Sequence, residues 1–378
     1  MAEEILIVAG EASADLHAAR VLLELRRLRP GLTAFGVGGP GLRAAGLEAL
    51  YPAEEISVMG LVEVLPRIPR ILSILRGLDR AARARRPKVA LLVDLPDFNL
   101  RLAARLKRQG VKVVYYISPT IWAWRRGRAR HVARVVERML CILPFEPAAY
   151  GGTGVRADFV GHPFAERPAP ASPAGYRAAL GLAPGRTTVA LVPGSRRSEV
   201  RRLFPPMLEA AERIRAAHPD AQFVVPIAPT LRRDLLAPFL AGHATLDVTL
   251  VEGRTDEAVG ASDAALVKSG TSTLEAGLML RPLVVVYKFS WLSYLVARLL
   301  VRLTFFSLVN LLVGRRVVPE LLQGGASAAA MAAEVLAVLP EGPARQAQLD
   351  GLREVRAALG PPGAPERVAR VVAEVLDS

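Results

Sequence analysis

Apolar residues along this chain come in short runs, each closed by a turn and followed by a stretch with helical spacing. Ile5–Ala9 is the first run and ends at Gly10. Asp15–Arg29 follows, with Leu16, Ala19, Leu22 and Leu23 on a helical period, and stops at Pro30-Gly31. Thr33–Val37 is closed by Gly38-Gly39-Pro40-Gly41, and Val89–Val93 is followed by Asp94-Leu95-Pro96-Asp97. Lys112–Ile117, Arg138–Leu143 and Asp158–Val160 continue the series. Apolar strands alternating with helices predict a parallel, doubly wound α/β sheet. Turn residues fall at the strand C-terminal ends, where such sheets bind ligands.

Ala165–Gly175 has linker composition, and a second series starts beyond it. Its strands are Thr188–Val192, Gln222–Pro226, Ala244–Val251, Ala264–Lys268 and Leu283–Tyr287. The tail after Pro340 is helical and is broken at Gly360-Pro361-Pro362-Gly363. The expected fold class is therefore α/β, with two Rossmann-like domains facing each other across a cleft. Residues 1–165 form an N-terminal domain, 166–345 a C-terminal one, and 346–378 are helices returning to the first domain. No internal repeat is visible.

Composition narrows the class. The chain has 378 residues, 52% hydrophobic and 22% charged, which excludes a disordered protein. Cys141 is the single cysteine, so no internal disulfide can staple the fold. The acidic start Met1-Ala2-Glu3-Glu4 is unlike a signal peptide, and no targeting signal is expected. The segment 289–313 is apolar enough to suggest a membrane span. Arg298 and Arg302 near its middle would each cost about 2.5–3.5 kcal/mol in a bilayer centre, so an amphipathic or core helix is expected instead.

The net charge is +14, and its distribution says more than its size. Residues 67–138 hold 19 Lys and Arg against four acidic residues, a local charge of +15. Such a face suits phosphates, nucleic acid or an anionic membrane; it also fits an ordinary solvated surface. Leu61–Leu78 opens it, with Leu61, Val64, Leu65, Ile68, Ile71, Leu72 and Leu75 interleaved with Arg67, Arg70 and Arg76. An apolar surface rimmed by cations is what a peripheral protein needs on an anionic leaflet.

Four turns carry candidate chemistry. Gly10-Glu11-Ala12-Ser13-Ala14-Asp15 leaves the first strand and enters a helix, although GxGxxG is absent. Asp94-Leu95-Pro96-Asp97-Phe98-Asn99 presents carboxylates for general-base work or hydroxyl binding. Pro193-Gly194-Ser195-Arg196 and Lys268-Ser269-Gly270-Thr271-Ser272-Thr273 aim backbone N–H groups and hydroxyls at one place, as a diphosphate site does, and Glu275 is placed to accept from ribose hydroxyls. Trp122, Trp124, Arg125 and Arg126 follow another strand end, and the two arginines suit phosphate. The five histidines lack metal spacing, and there is no Walker A lysine and no GxSxG elbow. Neither a metal nor a cofactor is expected.

In order, the Gly10–Asp15 turn, Met59-Gly60-Leu61-Val62-Glu63-Val64-Leu65, Pro96–Asn99, Ser118–Arg125, Leu143–Glu146, Val160–Pro163, Pro193–Arg196, Lys268–Glu275 and Val318-Pro319-Glu320-Leu321-Leu322-Gln323 resemble the motif series of the lipid-A-disaccharide synthase family. The resemblance implies a GT-B glycosyltransferase that joins UDP-2,3-diacylglucosamine to 2,3-diacylglucosamine 1-phosphate (lipid X). The products would be the β-1,6-linked disaccharide 1-phosphate and UDP. It implies an enzyme peripheral to the cytoplasmic face of the inner membrane, with no nucleic-acid partner, and leaves room for a homodimer. Asp97 matches the family's base, Arg196 its nucleotide-side arginine, Glu275 its acidic residue and Asn310 its asparagine. Glu11, Ser13, Arg125, Ser195, Ser269, Gly270, Thr271 and Gln323 complete the implied substrate site. Ala14 stands where the family usually has glycine, which would strain the loop if a positive φ were needed. The rival readings are another UDP-sugar enzyme, such as a UDP-N-acetylglucosamine epimerase, and a non-catalytic binder of nucleic acid or membrane.

Overall fold

The computed structural model describes residues 3–57, 65–121, 128–288 and 304–378, without the side chains of Leu65, Arg128 and Thr271. The chain divides into two compact units, residues 1–166 with 359–378, and residues 167–358.

The first unit is a seven-stranded sheet: β1 (Glu4–Ala9), β2 (Thr33–Gly38), β3 (Glu48–Pro52), β4 (Val89–Val93), β5 (Lys112–Tyr116), β6 (Arg138–Cys141) and β7 (Arg156–Phe159). Its order is β3-β2-β1-β4-β5-β6-β7, and every pair is parallel. β1 and β4 are fully apolar at their centres because helices cover both sheet faces. One face packs against the helices Ile68–Arg85 and Pro96–Lys107. The other packs against Ala12–Leu28 and the final helix Ala364–Asp377, whose Val368, Val372 and Leu376 join its core. Each such side chain contributes about 1.5–3 kcal/mol on burial.

The second unit is a six-stranded parallel sheet: β8 (Thr188–Val192), β9 (Gln222–Ile227), β10 (Val248–Glu252), β11 (Ala264–Lys268), β12 (Leu283–Tyr287) and β13 (Glu320–Leu322). Its order is β10-β9-β8-β11-β12-β13. The helix Pro343–Ala358 belongs to this unit. The boundary between the units falls within Ala165–Gly175, and residues 167–172 form neither helix nor strand; only its last three residues enter an α-helix, which Ser172 caps at Pro173. Of the apolar segment 289–313, only the helix Leu308–Val313 and the four residues before it lie among the described residues.

Candidate active site

In the first unit the chain runs from β1 towards β3 on one side and from β4 towards β7 on the other. The C-terminal ends of β1 and β4 therefore meet at the switch point of the sheet. The turn after β4 is strained, with Asp94 and Leu95 both left-handed at φ 50° and 47°. Three groups hold it. Asn99 Nδ2 donates to the carbonyls of Val93 (3.1 Å) and Asp94 (2.8 Å). The Tyr115 hydroxyl donates to the Asp94 carbonyl, and the Asp94 N–H donates to the Tyr116 carbonyl at 2.9 Å. Asn99 is thus a buried clamp on the backbone through its amide nitrogen. The kink puts Pro96 at the first position of its helix and Asp97 in the first turn. Gly10 packs closely opposite it; a Cβ there would come within 2.6 Å of the Leu95 side chain, which would have to shift.

A cavity of about 430 Å3 opens at this point. Ile56, Ile68, Ile71, Leu72, Leu75, Leu95 and Phe98 form its apolar wall, and Glu11, Asp94, Asp97 and Arg101 its polar mouth. Asp94 is half-buried, and burial pushes its carboxyl above the usual range. Asp97 is exposed. Ser13 is exposed one turn away and does not line the cavity. Asp15 is buried, and its carboxylate accepts from the N–H groups of Gly39, Gly41 and Leu42, which ties the first helix to the next turn. Ala14 is an ordinary helical residue with no positive φ, so the strain anticipated there does not arise.

The second unit repeats the arrangement with different chemistry. Its switch point lies between β8 and β11, and a cavity of about 410 Å3 sits there. Gly194, Ser195, Arg196 and Glu199 line it from the β8 turn, and Lys268, Gly270, Ser272 and Glu275 from the β11 turn. The Ser195 and Arg196 N–H groups, expected to point at a ligand, both donate to Glu199 Oε2, at 3.1 and 3.3 Å. Glu199 Oε1 lies 2.9 Å from Lys268 Nζ and 3.6 Å from Arg196 Nη1. Gly194 has φ 118°, and a Cβ there would come within 2.5 Å of the Glu199 carboxylate.

The hydroxyls of the β11 turn also face inward. Ser269 Oγ donates to the Phe306 carbonyl, Ser272 Oγ to that of Lys268 and Thr273 Oγ1 to that of Gly270. The expected display of hydroxyls is therefore corrected. Gly270, at φ 153°, and Ser272 reach the cavity, while Ser269 is buried beside it. Thr271 opens the following helix. Glu275 lines the cavity and accepts from Arg167 Nη2 at 2.8 Å; Arg167 Nη1 holds Asp256 at 2.8 Å. Burial dominates at Glu275 and raises its carboxyl despite the arginine.

Asn310 does not reach either cavity. It is fully buried; its Oδ1 accepts from the N–H groups of Val317 and Val318, and its Nδ2 donates to the Val318 carbonyl and to Glu320. Those bonds use its whole capacity, so the catalytic expectation for Asn310 becomes a structural one. Gln323 follows β13 with φ 53° and does not line the cavity. Leu61, Val64 and Arg125 lie outside the described residues, as do the side chains of Leu65 and Thr271. Leu75, at 3% exposure, is a core residue and not a surface one. Among the described residues, no group of His, Cys, Asp and Glu could hold a metal ion.

A family description, lipid-A-disaccharide synthetase, matches residues 5–367. The lipid-A-disaccharide synthase of Anaeromyxobacter dehalogenans strain 2CP-C is 73% identical, over 100% of this chain and 98% of that one. The chain belongs to the lipid-A-disaccharide synthetase family. It is accordingly a glycosyltransferase of lipid A biosynthesis. Solved structures show the same fold at low identity. The glycosyltransferase of kitacinnamycin superposes with TM-score 0.62 at 18% identity, covering both chains completely. The UDP-GlcNAc 2-epimerase of Neisseria meningitidis, bound to UDP-GlcNAc, gives 0.60 at 13% identity over 99% of each chain. The two α/β units are of the GT-B type, and the epimerase reading falls to the family match.

For a member of the lipid-A-disaccharide synthetase family, the sequence reading missed one charged cavity residue, Glu199, and the pair behind Glu275, Arg167 and Asp256. Glu199 sits three positions after Arg196, the place from which an acidic side chain reaches back to a helix start, so its signal was present. Arg167 was hidden in a stretch read as linker, and Asp256 has no local motif. No helix among the described residues is long and apolar enough to cross a membrane.

Proposed function

We propose that the chain transfers the 2,3-diacylglucosaminyl group of UDP-2,3-diacylglucosamine to the 6-hydroxyl of 2,3-diacylglucosamine 1-phosphate, giving the β-1,6 disaccharide 1-phosphate and UDP. The observation that carries this is the contrast of linings at the two switch points. One cavity has an apolar wall and a carboxylate mouth, which suits an acylated sugar and a hydroxyl to be deprotonated. The other has two cations, Arg196 and Lys268, with Glu199 between them and Glu275 held by arginine, which suits a nucleoside diphosphate.

The α-linked UDP leaves as the acceptor hydroxyl attacks from the opposite face, which inverts the anomeric carbon. Asp97 takes the hydroxyl proton, and Asp94 stands behind it on a fixed backbone. Arg196 meets the charge that develops on the leaving diphosphate, and Glu275 accepts from the ribose. Ile68, Ile71 and Leu72, beside the exposed Arg67, Arg70 and Arg76, carry the acyl side of the substrates and the contact with an anionic leaflet. In this reading the enzyme works on the cytoplasmic face of the inner membrane, and no added metal or cofactor is required. The test is a product assay with both purified substrates and a chelator, read by mass spectrometry. Equimolar UDP and disaccharide, abolished by Asp97→Ala, are expected. UDP without disaccharide would reject the acceptor assignment, and no UDP at all would reject the donor.

A further inference from the structure

We propose that Lys268 is a second diphosphate-binding cation of the nucleotide cavity, and that Glu199 is its positioning residue. The proposal rests on reading this cavity as the UDP site and adds to it a cation that the motif alone did not assign.

Lys268 is the last residue of β11, so its side chain starts at the switch point itself. It is only 13% exposed, yet it lines the cavity. Three neighbours fix its ammonium. Glu199 Oε1 lies 2.9 Å away, the Tyr287 ring centroid lies 5.2 Å away, and a Cβ on Gly270 would come within 3.3 Å of Nζ. The ammonium therefore stands over the Gly270 backbone, at the entrance to the helix that a diphosphate would approach.

Glu199, itself 10% exposed, is held just as firmly by the Ser195 and Arg196 N–H groups on its other oxygen. One carboxylate thus serves two cations, Lys268 and Arg196, which both line the cavity. A buried ion pair costs desolvation that an apolar pair would avoid, so the arrangement makes little sense as packing alone. It makes sense as a poised cation. The charged amine is kept in place while the site is empty and interacts with the anionic oxygens when the diphosphate arrives.

The experiment compares UDP and uridine binding by calorimetry with the full chain. Lys268→Met is expected to weaken UDP by about tenfold or more, the range of a charge-assisted hydrogen bond, and to leave uridine unchanged. Lys268→Arg is expected to keep most of the affinity. Glu199→Gln is expected to change the UDP-to-uridine ratio more in the wild-type background than in the Lys268→Met background, since part of its effect passes through the lysine and part through Arg196. Equal UDP affinity in wild type and Lys268→Met overturns the proposal, as does an equal loss for uridine. An effect of Glu199→Gln that is equally large with and without Lys268 removes its role in positioning the lysine. If Lys268→Met does not fold, Lys268→Gln carries the same comparison. Wild type that binds no UDP would instead refute the reading of the cavity itself.

Discussion

The two units of this chain solve the same geometric problem with opposite chemistry. Each folds a parallel sheet whose strand order reverses next to its first strand, between β1 and β4 in one and between β8 and β11 in the other. Each opens a cavity of about the same size there, 430 and 410 Å3. The first is walled by Ile, Leu and Phe and fringed with carboxylates, and the second is fringed with cations and paired carboxylates. The architecture thus supplies the place, and the turn residues decide whether its lining is largely apolar or charged. The turns also spend their backbone differently. After β4 the strained carbonyls are clamped by Asn99 and Tyr115, whereas after β8 the N–H groups are taken by Glu199.

Substitutions on the two sides should separate catalysis from nucleotide binding. The largest effect is expected at Asp97. Asp97→Asn should lower kcat by about 10²–10⁴, the range of general-base catalysis, while UDP affinity stays put. An equal loss of both would end the division of labour. Next comes Arg196→Ala, which should weaken UDP about tenfold to a hundredfold in a binding assay, because it removes a charged contact; unchanged affinity would take Arg196 out of the diphosphate site. Smaller still is Ile68→Glu, at a residue already 38% exposed. It should raise the apparent KM for the acylated acceptor about fivefold and weaken binding to anionic vesicles by a similar factor, from roughly 1 kcal/mol per surface charge. UDP affinity is the internal control.

The smallest effect concerns stability. Burial raises the Asp94 carboxyl in the folded state, so its ionisation opposes folding as pH rises from the ordinary carboxylate range through the raised value. Asp94→Asn should therefore raise Tm at pH 7, and the gain should vanish at a pH below the ordinary aspartate value. A gain that is the same at both pH values would contradict the burial account.

Much of this was legible in the sequence where one side chain reports one environment. Val89–Val93, Thr188–Val192, Ala264–Lys268 and Leu283–Tyr287 are continuous apolar runs because central parallel strands are covered on both faces, and their limits were read correctly. β3 and β13 were missed because edge strands such as Glu48–Pro52 and Glu320–Leu322 are half-covered and carry polar residues. The turns at the switch points were visible as small-residue clusters after strands. Which of their groups face a ligand was not, since that depends on long-range partners. Glu199 takes the N–H groups that Ser195 and Arg196 were expected to offer, and Asn310 bonds to Val317, Val318 and Glu320. A motif names the residue types at a site; hydrogen-bond competition decides which of them are left for chemistry.

The most direct test of the division between the two cavities is amide hydrogen exchange with and without saturating UDP. The account predicts new protection in residues 194–199 and 268–275, with residues 94–101 unchanged. Protection at 94–101 in place of the second-unit turns would contradict it.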